Sequence, residues 1–268
     1  MSSKPVLVTG GAGLIGTALR RKLNRPLRLL DIAAAEPPAP GEDVEIVSGS
    51  ATDPEAMEAA AEGVSAIVHL AGIPGEAPWN DISEANLHST QVALEAARSQ
   101  GIDRFVYASS NHASGFQERD DLPEGGLPDD VDFAPDTYYG VTKVASEALC
   151  RLYADRFGMD ALCLRIGTCR ETPHDARSLS TWLSLDDCAR LVEAALDAPS
   201  PGFRQVWGVS ANTRRWWSTA GGDAIGYRPE DDAEAFAERI LAAEGPIDPA
   251  DPAHRYVGGR FTIAPLGE

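Results

Sequence analysis

Lysine is almost absent from this chain. It stands only at positions 4, 22 and 143, so nearly all positive charge is arginine. Acidic residues outnumber basic ones by 41 to 23, a formal net charge of −18 at pH 7. A surface of that sign repels nucleic acid and anionic membranes, and neither is an expected partner. Two origins fit the charge: a salty cytoplasm, where counter-ions screen self-repulsion, or simple solubility from excess acid. No run of apolar residues is long enough for a membrane-spanning helix. Cysteine is scarce too. Cys150, Cys163, Cys169 and Cys188 include no CxxC pair and no metal-type spacing. They read as buried free thiols rather than disulfides, and no metal is expected. No internal repeat or low-complexity tract occurs. The first strand starts within a few residues of Met1, which leaves no room for a signal peptide, so the expected location is the cytoplasm.

What is present supports a core. With 268 residues, 43% of them hydrophobic, the chain suits one large α/β domain or a domain with a small attached lobe. The organising stretch is Val6 to Gly16, Val-Leu-Val-Thr-Gly-Gly-Ala-Gly-Leu-Ile-Gly. It reads as strand, tight glycine turn, helix. Gly10 lets the chain turn, Gly13 lets backbone approach a pyrophosphate, and Gly16 lets the helix pack on the strand. The phosphates then sit at the positive helix N-terminus. Leu27–Leu30 reads as the next strand and ends in Asp31, 31 − 10 = 21 positions after the first glycine. An acidic residue at that distance accepts from a ribose 2′-hydroxyl and repels a 2′-phosphate, and no arginine follows within Ile32–Glu36. The expected cofactor is therefore NAD rather than NADP.

Further short apolar runs read as strands at 44–47, 66–70, 104–109 and 161–166, alternating with helices at 54–61, 82–99 and 137–157. Continuous rather than alternating strands separated by helices predict a Rossmann-type doubly wound parallel sheet. The first 166 residues form the expected NAD-binding domain. Residues 167–268, with a helix at 185–196, a strand at 205–209 and a helix at 232–241, form the expected small substrate lobe over the strand ends. The loop 113–136, rich in Gly, Pro and Asp, is long enough to suggest a functional element such as a lid. Asn86 and His88 read as surface or packing residues, and Trp182, Trp207, Trp216 and Trp217 as core or subunit contacts.

Tyr139 and Lys143 lie four apart on one helix face. An ammonium beside a phenol lowers the phenol's pKa and makes it a usable general base. Ser110 ends the fifth strand, at the carboxyl edge of the sheet, where its hydroxyl can hold and polarise a reacting oxygen.

Gly10-x-x-Gly13-x-x-Gly16, Ser110 and Tyr139-x-x-x-Lys143 together resemble the extended short-chain dehydrogenase/reductase superfamily, in its NAD-dependent epimerase/dehydratase group. Within it, Ala108-Ser-Ser-Asn-His112, Tyr139-Gly-Val-Thr-Lys143, Arg165-Ile-Gly-Thr-Cys169, Leu179-Ser-Thr-Trp182 and Val206–Asn212 are similar to the uronate dehydrogenases. That resemblance implies oxidation of D-glucuronate or D-galacturonate at C1 by NAD, giving an aldaro-lactone. Tyr139 is then the base, Lys143 its activator and ribose ligand, and Ser110 the holder of the C1 oxygen. NAD contacts are implied for Gly10, Gly13, Leu14, Ile15, Gly16, Asp31, Ile32, Ser50, Ala51, Leu70, Ala71, Gly72, Ile73, Tyr139, Lys143 and Cys169. The group often carries an acidic residue against adenine where Ser50-Ala51 stands here. Substrate contacts are implied for Pro74, Ser110, Asn111, His112, Tyr139, Thr168, Arg177 and Phe261. His112 is taken as a hydroxyl partner rather than a second base. Arg177 would clamp the C6 carboxylate, although taken alone it reads as a solvated loop arginine. The implied partner is a small uronic acid, and members of such families often assemble into homo-oligomers. The alternatives are a sugar-nucleotide epimerase or dehydratase and a non-catalytic NAD-binding regulator.

Overall fold

Side chains along each central strand alternate between two apolar layers, as the period of a strand requires. In β1 (Val6–Thr9), Val6 and Val8 enter one layer and Leu7 the other. The computed structural model describes residues 4–119 and 122–268. The glycine turn leads into α1 (Leu14–Lys22), followed by β2 (Leu27–Asp31), β3 (Val44–Ser48), α2 (Pro54–Ala61) and β4 (Ala66–His69). A short helix α3 (Trp79–Ile82), a π-helical segment Ser83–His88 and α4 (Ser89–Ser99) then run on without a break. After β5 (Arg104–Ser110) come α5 (Tyr138–Phe157) and β6 (Asp160–Ile166).

The chain next forms a two-stranded parallel ribbon, β7 (Thr168–Cys169) with β8 (Trp182–Leu183), bridged by α6 (Ser178–Thr181). It returns through α7 (Leu185–Asp197) to β9 (Arg204–Gly208). Three short helices, α8 (Ala220–Ala224), α9 (Ala237–Glu244) and α10 (Pro252–Arg255), complete the chain with a 3-10 turn at Gly259–Ile263. The main sheet is ordered β3-β2-β1-β4-β5-β6-β9, with every pair parallel. Crossovers from β1 and β4 leave in opposite directions, so a crevice opens between their carboxyl ends, where ligands bind in such sheets.

The doubly wound parallel sheet is legible in the sequence, and so is its last strand, though not that strand's place in the sheet. The strand expected at 205–209 belongs to the main sheet, paired with β6. Helix α7 supplies Cys188, Leu191, Val192 and Ala195 to the layer that β1 and α1 share. The sequence pattern assigns both to the small substrate lobe, because local pattern carries no information about which strand a distant segment pairs with. The helix expected over 82–99 starts earlier and contains a π segment, and that at 232–241 is a 3-10 turn, Ala233–Phe236, running into α9. The loop 113–136, expected as a functional element such as a lid, is tied down at Asp129. Its residues 120 and 121 lie outside the described residues. Among the described residues beyond His112 it pins later chain: the Asp129 carboxylate accepts from Trp207 N and Gly221 N, both at 2.9 Å. The four tryptophans named above are all buried.

Candidate active site

Gly10 closes the turn after β1 with φ +71°, and a Cβ there would stand 2.9 Å from Ala71 N. The backbones following β1 and β4 therefore approach as only glycine allows. Gly16 lies so close to Gly10 O and Gly11 O that a Cβ would sit 2.6 Å from both, which seats α1 against the turn. Helix α1 has no side-chain cap and no acid in its first turn. Its leading N–H groups are thus free to receive an anion. Asp31 faces the same crevice, its carboxylate accepting from Ala12 N at 2.9 Å and Ala33 N at 2.8 Å. Leu14 and Ile32 are exposed beside it. A dinucleotide fits this cradle: an uncapped helix for the pyrophosphate, a carboxylate for the ribose, apolar faces for a flat base. The Ser50 hydroxyl is engaged locally, with Thr52 Oγ1 at 2.9 Å.

The loop after β4 is fastened from below. Asn86, buried on the π segment, accepts from Ile73 N at 2.7 Å and donates to Ile73 O at 3.1 Å and Thr142 Oγ1 at 3.3 Å. The packing role expected for it is in fact an anchor of this loop. His69 lies beneath the crevice, fully buried, with Nδ1 2.8 Å from Thr9 Oγ1. Burial first, and then the Lys143 charge, pull its pKa down to about 3. The unfolded chain takes up this proton near pH 6.5 while the native state refuses it until about pH 3, so stability is lost as pH falls through that window. His69→Gln is expected to lose less stability than the parent between pH 7 and pH 4.5 in denaturant titrations. Parallel losses would assign the acid sensitivity elsewhere.

Ser110 at the end of β5 and Tyr139 in the first turn of α5 come together at the cavity, where the serine hydroxyl favours the phenolate. Thr137 caps that helix, accepting from Gly140 N at 3.2 Å. Lys143, one turn on, donates to Ala108 O at 2.7 Å and holds its Nζ 5.3 Å from the Tyr139 ring centroid. The phenol pKa differs from expectation. Burial pushes it up to about 12, against the downward pull of the Ser110 hydrogen bond, and the Asp136 carboxylate adds to the rise. Lys143 is itself drawn down to about 8 by burial. A lysine over the ring face does not outweigh the loss of solvent around both groups.

His112 donates from Nδ1 to Asp136 Oδ2 at 2.7 Å and stacks on Phe261 at 4.0 Å between ring centroids. Asn111 donates to Val257 O at 3.3 Å, and Thr168 Oγ1 lies 2.8 Å from Thr181 Oγ1. Arg177 is not a solvated loop residue. It is half-buried, donates to Val257 O, and has a buried Nε without a partner. Burial lowers its pKa to about 10 while Asp175 and then Asp136 oppose the shift.

One cavity of about 990 Å³ is lined by every cofactor and substrate residue implied by the sequence. Arg170, His174, His254 and Arg260 also line it and were not singled out; no spacing ties these loop residues to the glycine turn. Behind the cavity, Glu147 accepts from Arg165 at 2.9 Å and Gln205 at 2.6 Å, and from Ser109. Its signal was present, four residues after Lys143 on the same face.

The model of the NAD dependent epimerase/dehydratase family matches residues 6–174. The chain belongs to that family. As an epimerase/dehydratase family member it is similar over nearly its whole length to a particular set of relatives. A uronate dehydrogenase of Agrobacterium fabrum is 40% identical, covering 98% of each chain. A crystal structure of a uronate dehydrogenase variant from Agrobacterium tumefaciens, complexed with NAD, superposes with a TM-score of 0.90 at 39% identity, over 98% of each chain. A glucuronic acid dehydrogenase from Chromohalobacter salexigens gives a TM-score of 0.91 at 39% identity, over 98% of this chain and 97% of that one.

Proposed function

We propose that this protein oxidises a hexuronate, D-glucuronate or D-galacturonate, at C1 with NAD and releases the aldaric acid lactone. The observation that carries the reading is one cavity holding Ser110, Tyr139 and Lys143 together with a guanidinium, Arg177, whose Nε lacks a partner. The relatives' names and their near-complete coverage support it. NAD, when bound, supplies the hydride acceptor and a cationic ring beside the phenol. Tyr139 Oη takes the proton of the anomeric hydroxyl, and Ser110 holds that oxygen. Lys143 keeps positive charge beneath the phenolate. His112, fixed by Asp136, Asn111 and Thr168 hold sugar hydroxyls, and Phe261 covers the ring. Loss of hydride from C1 and proton from O1 leaves a C1 carbonyl within the intact ring, so the lactone forms without acyl chemistry. We place the enzyme in the cytoplasm as a homo-oligomer, with exposed Leu152 and Phe157 on α5 available to a second copy.

The test is NADH formation with glucuronate, galacturonate, glucose and a UDP-hexose. Absorbance rising with the uronates alone is the expected result. No rise, with NAD released on denaturation, would favour a sugar-nucleotide epimerase or dehydratase. Arg177→Ala is expected to lower kcat/KM for the uronate by roughly a hundredfold, about what a lost charged hydrogen-bonding partner costs. Its effect on a slow neutral sugar should be small. Equal loss on both would refute the carboxylate clamp.

A further inference from the structure

Glu76 belongs to none of the groups used above, yet its carboxylate joins three parts of the cavity wall. It stands two residues after Pro74, on the loop that Asn86 anchors. Its Oε2 accepts from Tyr139 N at 2.8 Å, and its Oε1 from Tyr138 N at 3.3 Å. With the Thr137 cap on Gly140 N, these bonds satisfy the first-turn N–H groups of α5, which have no partner inside the helix. A negative charge is also well placed at that helix end. The same Oε1 accepts from Gly267 N at 2.9 Å. Gly267 ends the segment whose 3-10 turn presents Arg260 and Phe261 to the cavity. The backbone of Tyr139, the loop beneath the substrate and the roof above it thus share one side chain.

We infer that Glu76 is a positioning residue that ties the substrate roof and the loop after β4 to the backbone of Tyr139. The inference rests on the proposed role of Tyr139 as base. Through Tyr139 N the carboxylate sets how far the phenol projects toward Ser110. Through Gly267 it holds the roof segment that carries Phe261 over His112. The two connections predict separable effects, because one acts on the base and the other on the covering of the sugar.

Three variants in the full-length protein test this. Glu76→Ala is expected to lower kcat at least tenfold, on the order of what small misplacements of reacting groups cost. It should also raise the uronate KM. Deleting residues 264–268 should raise the uronate KM while kcat stays near the parent value. Glu76→Gln, which keeps one acceptor oxygen, should fall between parent and alanine variant. Hydrogen exchange gives a readout without catalysis: the amides of Tyr138, Tyr139 and Gly267 should lose protection together in Glu76→Ala. Kinetic constants within twofold of the parent, or unchanged protection at Tyr139, would overturn the inference. If the parent shows no uronate-dependent NAD reduction, the proposed function fails and the exchange experiment alone decides whether the tie exists.

Discussion

Replacing Tyr139 with Phe is expected to cut kcat with a uronate by at least about a hundredfold while NAD binding stays intact. The ring is buried, packs edge-on to His112 at 5.7 Å and lies beneath Phe261, and phenylalanine keeps that volume. Only the oxygen that meets Ser110 is lost. Burial holds the phenol near 12 and draws Lys143 down to about 8, so the parent should gain activity as pH rises until Lys143 loses its charge, with the bound cofactor's positive charge moving the rising limb lower. The variant should show no such limb in its residual rate. Single-turnover measurement with titrated NAD separates binding from chemistry. Near-parent activity in Tyr139→Phe would remove Tyr139 from the mechanism, and weakened NAD binding would make it a cofactor ligand first.

A second large effect is expected on stability. Replacing Glu147 with Leu should destabilise the protein by about 3–5 kcal/mol, because it strands the Arg165 charge. Glu147 and Arg165 are both fully buried and paired at 2.9 Å; Glu147 also accepts from Ser109 and Gln205, and Arg165 also donates to Ser114 Oγ. In a chain of this size, each kcal/mol moves the melting temperature by roughly 2–4 °C, so a fall on the order of 10 °C should appear. Arg165→Met added to Glu147→Leu should recover most of it, since an apolar pair of similar volume replaces a buried ion pair at little net cost. The backbone carbonyls of Asp129 and Val131, which accept from Arg165, lose their donor in the double variant, so recovery will be incomplete. Denaturant unfolding of the three variants measures this. A loss under 1 kcal/mol for the single change would mean that the remaining bonds of Arg165 suffice to hold its charge.

Much of the site was legible in local sequence because its parts sit at fixed offsets on single elements. The glycines at 10, 13 and 16 belong to one turn and one helix. Tyr139 and Lys143 are one helical turn apart, and Asp31 and Ser110 end strands. Three readings needed more than local pattern. The lowered phenol pKa did not appear, because burial acts on Tyr139 and Lys143 together and a pairwise view of the two omits it. Arg177 read as solvated from its loop composition, yet a carbonyl eighty positions later holds it at the cavity. The loop 113–136 reads as a functional element such as a lid from its length, and only the structure shows that Asp129 ties it to Trp207 and Gly221.

The sequence by itself determined the strand–turn–helix start, the parallel sheet and the spacings that bring the glycine turn, Asp31 and the Tyr139–Lys143 pair to the candidate site. The turn and those spacings each lie within about twenty positions of chain, over which spacing dictates geometry. Tertiary structure alone decided that β9 closes the sheet beside β6, that Val257 orients Arg177, and that Glu76 joins Tyr139 to Gly267. Those contacts cross from about 40 to nearly 200 positions of chain. No periodicity reaches that far; they form because buried N–H, carbonyl and guanidinium groups must each find a partner once the two layers have packed.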